Sequence, residues 1–516
     1  MHENRESHVV MSVRKVFNRL MKVQETNDQQ AYDGTVGRGR STDEAPKAAA
    51  EVTEGRSEPE GNALEPPTTE TPSFEPVSSG LQRVRQAAAG NGQERFTALL
   101  HHVTVDLLEE AYRKLNPHAA VGMDKVTWLH YGEGLRAKID DLHARVHGGR
   151  YRAQPSRRVW IPKPDGRQRP LGVAALEDKI VQLAVSWVLN AIYETEFAGF
   201  SYGFRPGRSQ RHALDALWVA LTDRPVNWVV DADIRNFFDT LDHQWLMTFV
   251  AKRIGDPRIL RLIQQWLRAG VCENGKWTGT QIGTPQGAVI SPLLANIYLH
   301  YALDLWVKWW RAHHTEHTVI IVRYADDFVV GFQRKDDARR FLDDLRARLH
   351  KFALELHPDK TRLIEFGRFA QANRAKQTAG KAETFNFLGF THICGQRRSD
   401  GRFTVWRHSI SKRLQQKVTA IGQQLKAIRS QPLTEQGQWL RSVVRGWMNY
   451  HAIPSNSVAI SRFRELVINA WHQALIRRSQ HAKRLNWNRM RSIADYWIAP
   501  ARILHPYPNC RPCAIT

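Results

Sequence analysis

The chain places carboxylates at the ends of strands that should be buried, and few folds tolerate that. Residues 228–233 read Trp-Val-Val-Asp-Ala-Asp, a short apolar run that ends in Asp233. Residues 319–322 and 328–332 are two further apolar runs, joined by Tyr324-Ala325-Asp326-Asp327. Short runs rich in Val, Ile and Phe around a tight connection predict a β-hairpin, here with acids at its tip. Adjacent aspartates at a turn are ordinarily turn chemistry. This turn, however, is enclosed by Ile-Ile-Val on one side and Phe-Val-Val on the other. Carboxylates gathered at the edge of an apolar sheet repel one another unless a cation lies among them. Two divalent ions about 3.5–4 Å apart would answer that need and create a phosphoryl-transfer site.

The charge of the chain indicates what such a site would act on. Lys and Arg number 74 against 51 Asp and Glu, a formal net charge of +23, and the chain carries 17 Trp and 12 Tyr. A basic surplus of this size points to a polyanion, and aromatic faces stack on bases, so the expected partner is nucleic acid. The charge is unevenly spread: residues 1–80 carry a net −5 and the remainder +28. Residues 33–80 are rich in Glu, Pro, Ser, Thr and Ala and predict a disordered tail. Residues 11–24 have the pattern of one short basic amphipathic helix. No run of about 18 apolar residues exists, so no membrane span is expected, and the N-terminus lacks the apolar core of a signal peptide. Four scattered cysteines exclude a disulfide framework and suit a reducing compartment.

Periodicity adds the frame. Helices are expected over 106–115, 177–193 and 336–354, the last with Asp336 and Asp337 in its first turn and Phe341, Leu345, Leu349 and Phe352 inward. A strand is expected at 159–161, followed by a turn over 162–166. Ser291 reads as an N-cap with Pro292 at the first helical position. The helix that follows carries Leu294, Ile297, Tyr301 and Leu305 on one stripe. The C-terminal third reads as all-helical. Its first helix has Ile410, Leu414, Val418, Ile421, Leu425 and Ile428 on an apolar stripe, with Lys412, Arg413, Lys417 and Lys426 off it.

At the level of motifs the chain resembles a known family. Tyr324-Ala325-Asp326-Asp327 resembles the catalytic box of reverse transcriptases, and residues 231–243 (DADIRNFFDTLDH) resemble their first acidic box. Residues 283–299 (GTPQGAVISPLLANIYL) resemble the template and nucleotide box of group II intron reverse transcriptases. Residues 200–209, 160–172, 354–366 and 385–390 are similar to that family's other blocks, in the family's order, and 445–451 (RGWMNYH) resembles its thumb or maturase signature. Two departures occur. Lys125 stands for the second glycine of the family's G-x-D-G-x-T element, and Ala288 stands where many members have a second glycine after Gln-Gly.

The resemblance implies an α+β fold: a right-hand polymerase with fingers and palm around an antiparallel sheet, followed by an all-helical thumb or maturase domain. The implied divisions are an acidic tail over 1–80, a helical extension over 81–155, fingers and palm over 156–395, the helical domain over 396–480 and a short basic segment over 481–516. It implies catalytic and metal-binding roles for Asp233, Asp326 and Asp327, with the Ile234 carbonyl as a further ligand. Lys163, Arg169, Phe238, Gln286 and Gly287 would bind the dNTP, Phe238 lying under the sugar C2′ position. Lys360, Phe387, Leu388 and Gly389 would support primer and template. Two Mg²⁺ per active site are implied, with Mn²⁺ able to substitute. No zinc is expected, because Cys510 and Cys513 supply one pair where a structural zinc takes four ligands.

The C-terminal ILHPYP (503–508) is similar to the tail of short, endonuclease-lacking, group IIC-like bacterial members. The partners implied are group II intron RNA, an RNA template, a DNA primer or target DNA and dNTPs, in a cytoplasmic, bacterial ribonucleoprotein that is nucleoid-associated when acting on DNA. The activity implied is RNA-directed DNA polymerisation joined to assistance of splicing and to retrohoming. Two other functions stay open from sequence: a domesticated reverse transcriptase of phage defence or adaptation, and an RNA-binding maturase without polymerisation.

Overall fold

The computed structural model describes residues 79–508, apart from 163–167, 274, 280, 281, 285, 286, 379 and 398. The expected tail up to residue 78, the helix over 11–24, the core of the turn over 162–166 and the Cys510–Cys513 pair lie outside the described residues. Ser79 and Gly80, assigned to the tail, open a helix instead.

The chain enters through helices α1 (Ser79–Gly90), α2 (Val105–Lys114), α3 (Trp128–Gly132) and α4 (Leu135–His147). The Thr104 hydroxyl caps α2 by accepting from the Leu107 amide at 3.1 Å, which satisfies one of the orphan donors of a helix start. Leu107, Leu108, Ala111 and Tyr112 then share its buried face. The long apolar helix α5 (Leu176–Tyr193) is buried on nearly every side, and α1 and α2 pack against it. Between α4 and α5 lies a hairpin of β1 (Ser156–Pro162) and β2 (Gln168–Val173) that pairs Ile161 with Arg169. After α6 (Gln210–Asp223), β3 (Trp228–Asp233), α7 (Phe237–Thr240), α8 (His243–Arg253) and α9 (Pro257–Arg268), strands β4 (Val271–Glu273) and β5 (Lys276–Thr278) complete a sheet of order β2-β1-β4-β5.

The next helix does not run as one stripe. Helix α10 (Ser291–Leu299) passes through a π-helical turn at His300–Asp304 before continuing as α11 (Leu305–His313). The π turn shifts the phase. Asp304 becomes fully buried, while Leu305, expected inward, is 40% exposed. Ser291 is also not the cap: Ile290 occupies that position without a side-chain bond, and Ser291 is the first helical residue.

The central sheet has order β6-β7-β3-β8 and is antiparallel throughout, with β6 at Val319–Tyr324, β7 at Asp327–Phe332 and β8 at Arg362–Glu365. Strands β6, β7 and β3 are largely apolar along their length because both faces are covered. Val230, Phe328, Val330 and Phe332 join the core made with α5, α8, α10 and α12 (Lys335–His350). Val229, Val322, Val329 and Ile364 enter a second core with α6 and a small sheet. Successive side chains point to opposite faces, so a two-sided sheet needs apolar residues at every position.

After the short helix α13 (Ala370–Lys376), the small sheet comprises β9 (Phe385–Phe387), β10 (Phe390–Gln396) and β11 (Phe403–Ser409). The boundary expected at 396 therefore falls inside a hairpin, and the helical region starts at Ser411. It contains α14 (Ser411–Ala427), α15 (Leu433–His451), α16 (Ser457–Ile476) and α17 (Trp487–Trp497). Helix α17 does not stand apart as expected of the segment over 481–516: Met490, Ala494, Trp497 and Ile498 complete the helical core. Gly437 clears room for this docking, because a Cβ there would lie 2.3 Å from the Trp497 ring. No helix among the described residues is long and apolar enough to cross a membrane.

Candidate active site

The ladder brings two of the three predicted carboxylates face to face. Asp233 ends β3 directly opposite Asp327, which opens β7. They are 4% and 7% exposed. Opposite residues in an antiparallel pair have Cα atoms roughly 4.5–5.5 Å apart, so the two side chains share one end of the sheet. Tyr324 also pairs with Asp327, which leaves Ala325 and Asp326 as a two-residue loop. Such loops demand positive φ at the first central position, and Ala325 supplies it at 56°. That conformation costs a residue with a Cβ roughly 1–2 kcal/mol, so the turn must be held by its surroundings.

Asp233 is tied down from another segment. Its carbonyl accepts from the His357 amide at 2.7 Å, the Arg235 amide donates to Glu355 at 2.8 Å, and Ile234 bridges to Leu356. This pairing carries Lys360 to the site, where its ammonium donates to the Asp233 carboxylate at 2.7 Å. Lys360, expected at the primer, is thus in contact with an acid of the site. Ile234 is 2% exposed, with its backbone fixed by the same pairing.

Arg169 approaches from β2. Burial pulls its guanidinium below the ordinary arginine range, while the Asp326 and Asp239 charges oppose that shift. It remains a cation facing the acids. Phe238 lies in the single turn α7, 5% exposed, with its ring edge-on to Phe237 at 5.3 Å. Its carbonyl accepts from the Thr284 amide at 2.9 Å, which joins the first acidic box to the 283–299 block. Gly287 has φ of 105°, and a Cβ there would meet the Gly172 carbonyl at 2.9 Å. The close approach for which glycine suits this position is made to β2 of the chain itself. Lys163 and Gln286 lie outside the described residues. Phe387, Leu388 and Gly389 lie at the β9–β10 hairpin. Leu388 and Gly389 both have positive φ, 46° and 81°, and the Tyr450 hydroxyl of α15 donates to the Leu388 carbonyl at 2.7 Å.

The donors offered by Asp233, Asp326, Asp327 and the Ile234 carbonyl are all hard oxygens, the class that Mg²⁺ and Mn²⁺ take. Among the described residues no three His, Cys, Asp or Glu side chains converge as a complete metal cluster. Hard oxygen donors of this kind suit a divalent ion that draws part of its shell from elsewhere, as Mg²⁺ does with substrate phosphates and water. Sequence reasoning missed Arg323, and a signal for it existed. It is the one charged residue in the run Val319–Tyr324, and it is fully buried.

A buried antiparallel sheet that presents carboxylates at one end, with arginine and lysine beside them, suits the chemistry of metal-dependent phosphoryl transfer. Residues 161–392 match the family described as reverse transcriptase (RNA-dependent DNA polymerase). Protein YkfC of Escherichia coli is 36% identical over 325 residues, 56% of this chain and 84% of that protein. The group II intron-encoded protein LtrA of Lactococcus lactis is 30% identical over 347 residues, 56% of this chain and 58% of LtrA. A protein encoded in the cob intron of Schizosaccharomyces pombe is 38% identical over 162 residues, 31% of this chain and 20% of that protein. The chain belongs to the reverse transcriptase family and is homologous to group II intron-encoded proteins. It is by that membership an RNA-directed DNA polymerase, and enzymes of this family use divalent metal ions.

Proposed function

We propose that the protein binds a group II intron RNA, assists its splicing and copies it into DNA from a DNA primer during retrohoming, in a cytoplasmic ribonucleoprotein that joins the nucleoid when it acts on DNA. The observation that carries this reading is the pairing of Asp233 with Asp327 across the ladder, beside the Ala325–Asp326 loop, in a chain homologous to group II intron-encoded proteins. In this reading the central sheet is the palm, the β1–β2 hairpin belongs to the fingers and α14–α17 form the thumb.

Asp233, Asp326 and Asp327, with the Ile234 carbonyl, would hold two Mg²⁺ ions. When bound, the ions supply a lowered pKa for the primer 3′-hydroxyl and charge neutralisation on the departing pyrophosphate. The chain does the rest. Lys360 keeps the Asp233 carboxylate oriented. Arg169, with Lys163, grips the triphosphate, its planar fork suited to phosphate oxygens. Phe238 presents the floor of the nucleotide site and excludes a 2′-hydroxyl. Gln286 and Gly287 would contact the nucleotide and template strand, and the Phe387-Leu388-Gly389 turn would support the primer end. The test is primer extension on an RNA template in Mg²⁺. Asp326→Ala should lower incorporation roughly 10²- to 10³-fold or more, the scale expected when a transition-state electrostatic group is removed. Retained incorporation would sink the site.

A further inference from the structure

We propose that Arg323 is a positioning residue for the catalytic turn: held by Asp304 and Asn296, its guanidinium fixes the Ala325 carbonyl and thereby the left-handed backbone that aims Asp326 at the metal-binding edge. This rests on the reading of Asp326 as a metal ligand.

Arg323 lies on β6 with 0% exposure, and its partner Asp304 is equally buried. The pair is bidentate, Nε to Oδ1 at 2.8 Å and Nη2 to Oδ2 at 2.6 Å. The remaining nitrogen, Nη1, donates to the Ala325 carbonyl at 2.9 Å and to Asn296 Oδ1 at 3.1 Å. The Asn296 amide in turn donates to the Gly203 carbonyl at 2.7 Å. Gly203 lies directly against the turn, since a Cβ there would fall 2.3 Å from the Ala325 nitrogen. The backbone of Arg323 is itself clamped to this segment. Its amide donates to Phe200 at 2.9 Å, and its carbonyl accepts from Tyr202 at 2.8 Å.

The route by which Asp304 arrives supports a dedicated role. The π turn at His300–Asp304 rotates Asp304 into the core and turns Leu305 out, and such turns occur often at functional sites. Stability alone does not account for the pair, because well-packed apolar residues often serve as well as a buried salt bridge. Apolar residues could not hold the Ala325 carbonyl. Neither could lysine hold all three partners, since its compact ammonium lacks the planar fork.

The test uses the full-length protein and two readouts. One is Mn²⁺ affinity, measured by electron paramagnetic resonance without RNA or nucleotide. The other is primer extension, separated into kcat and KM for dNTP. Arg323→Lys and Asn296→Ala should each weaken Mn²⁺ binding roughly 10-fold or more, the range for removing a residue that orients a metal ligand, with kcat lowered and KM for dNTP unchanged. Val307→Ala truncates a buried residue of α11 away from the turn and should lower the melting temperature without altering Mn²⁺ affinity. Asp326→Asn should lose Mn²⁺ and activity together. If Arg323→Lys fails to fold, Asn296→Ala, which leaves the ion pair intact, decides the question. Wild-type Mn²⁺ affinity in Asn296→Ala or in a folded Arg323→Lys, with Asp326→Asn still dead, overturns the positioning role and leaves the site standing. Weakened Mn²⁺ binding in Val307→Ala also overturns it, since the effect would then follow destabilisation. Wild-type Mn²⁺ binding and extension in Asp326→Asn would instead overturn the reading of the site.

Discussion

At the scale of single residues, the site is built from side chains whose partners lie far away in sequence. Asp233 and Lys360 are separated by 127 positions and meet at 2.7 Å. The spacing of acids at strand ends made Asp233, Asp326 and Asp327 legible, because a carboxylate at the edge of an apolar run is costly without a counter-charge. Nothing local could reveal that Lys360 serves Asp233, since the contact depends on residues 355–357 pairing back onto 233–235. The contact separates two roles for Lys360. A primer contact would move affinity for the primer, whereas a partner of Asp233 would move the chemical step. Lys360→Gln should therefore lower kcat roughly 10-fold or more, with KM for primer–template unchanged. Steady-state extension with varied primer–template checks this, and a raised KM at constant kcat would return Lys360 to the primer.

At the scale of elements, the periodic helices and the three strands around the acids were readable because their patterns match 3.6 and short apolar templates. The stripe through Leu305 fails because one π turn breaks the phase, and composition does not mark such a turn. The hairpin β10–β11 escapes the sequence pattern because its buried side comes from residues spaced among polar ones. Val405 is fully buried while Trp406 is not. The start of α5 also holds a buried carboxylate. Asp178 is buried there, accepts from the Tyr151 hydroxyl and from the Gln154 amide at 2.9 Å, and is pushed up by burial to about 6. Its folded value lies above its unfolded one, so protonation favours the folded state. The contribution is full below about pH 4 and is lost as pH rises through about 6. The span corresponds to roughly 3 kcal/mol at most. Melting temperature should accordingly decline between pH 4 and 6 in the parent protein, and Asp178→Asn, which cannot ionise, should flatten that decline. Thermal melts across this range decide it, and an unchanged slope would remove Asp178 as the source.

At the scale of the whole molecule, the positive charge and the acid site divide the work. Residues 81–516 carry a net +28, and the proposed site sets three aspartates within that surplus. The helical region shows where the cations go. On α14, Leu414, Val418, Ile421 and Leu425 face the core, while Lys412 and Lys426 are exposed. On α17, Met490, Ala494 and Trp497 turn inward, whereas Arg489 and Arg491 are exposed and Trp487 is 45% exposed. Each helix thus uses an apolar back to dock and leaves a basic front in solvent, the footprint of phosphate-backbone binding. Binding of this kind releases condensed counterions, so its strength must fall with salt. With six to ten phosphate contacts, RNA affinity should drop roughly 10³- to 10⁵-fold between about 50 and 200 mM salt. The double substitution Lys412→Gln with Lys426→Gln should reduce the slope of log affinity against log salt by about 1–2, near unity for each phosphate no longer neutralised. It should weaken binding alike for related and unrelated RNA sequences, because backbone contacts carry no base information. Filter binding or fluorescence anisotropy over a salt series provides both numbers. A slope left unchanged by the double substitution would move the RNA surface off α14, and an affinity indifferent to salt would detach the charge of the chain from RNA altogether.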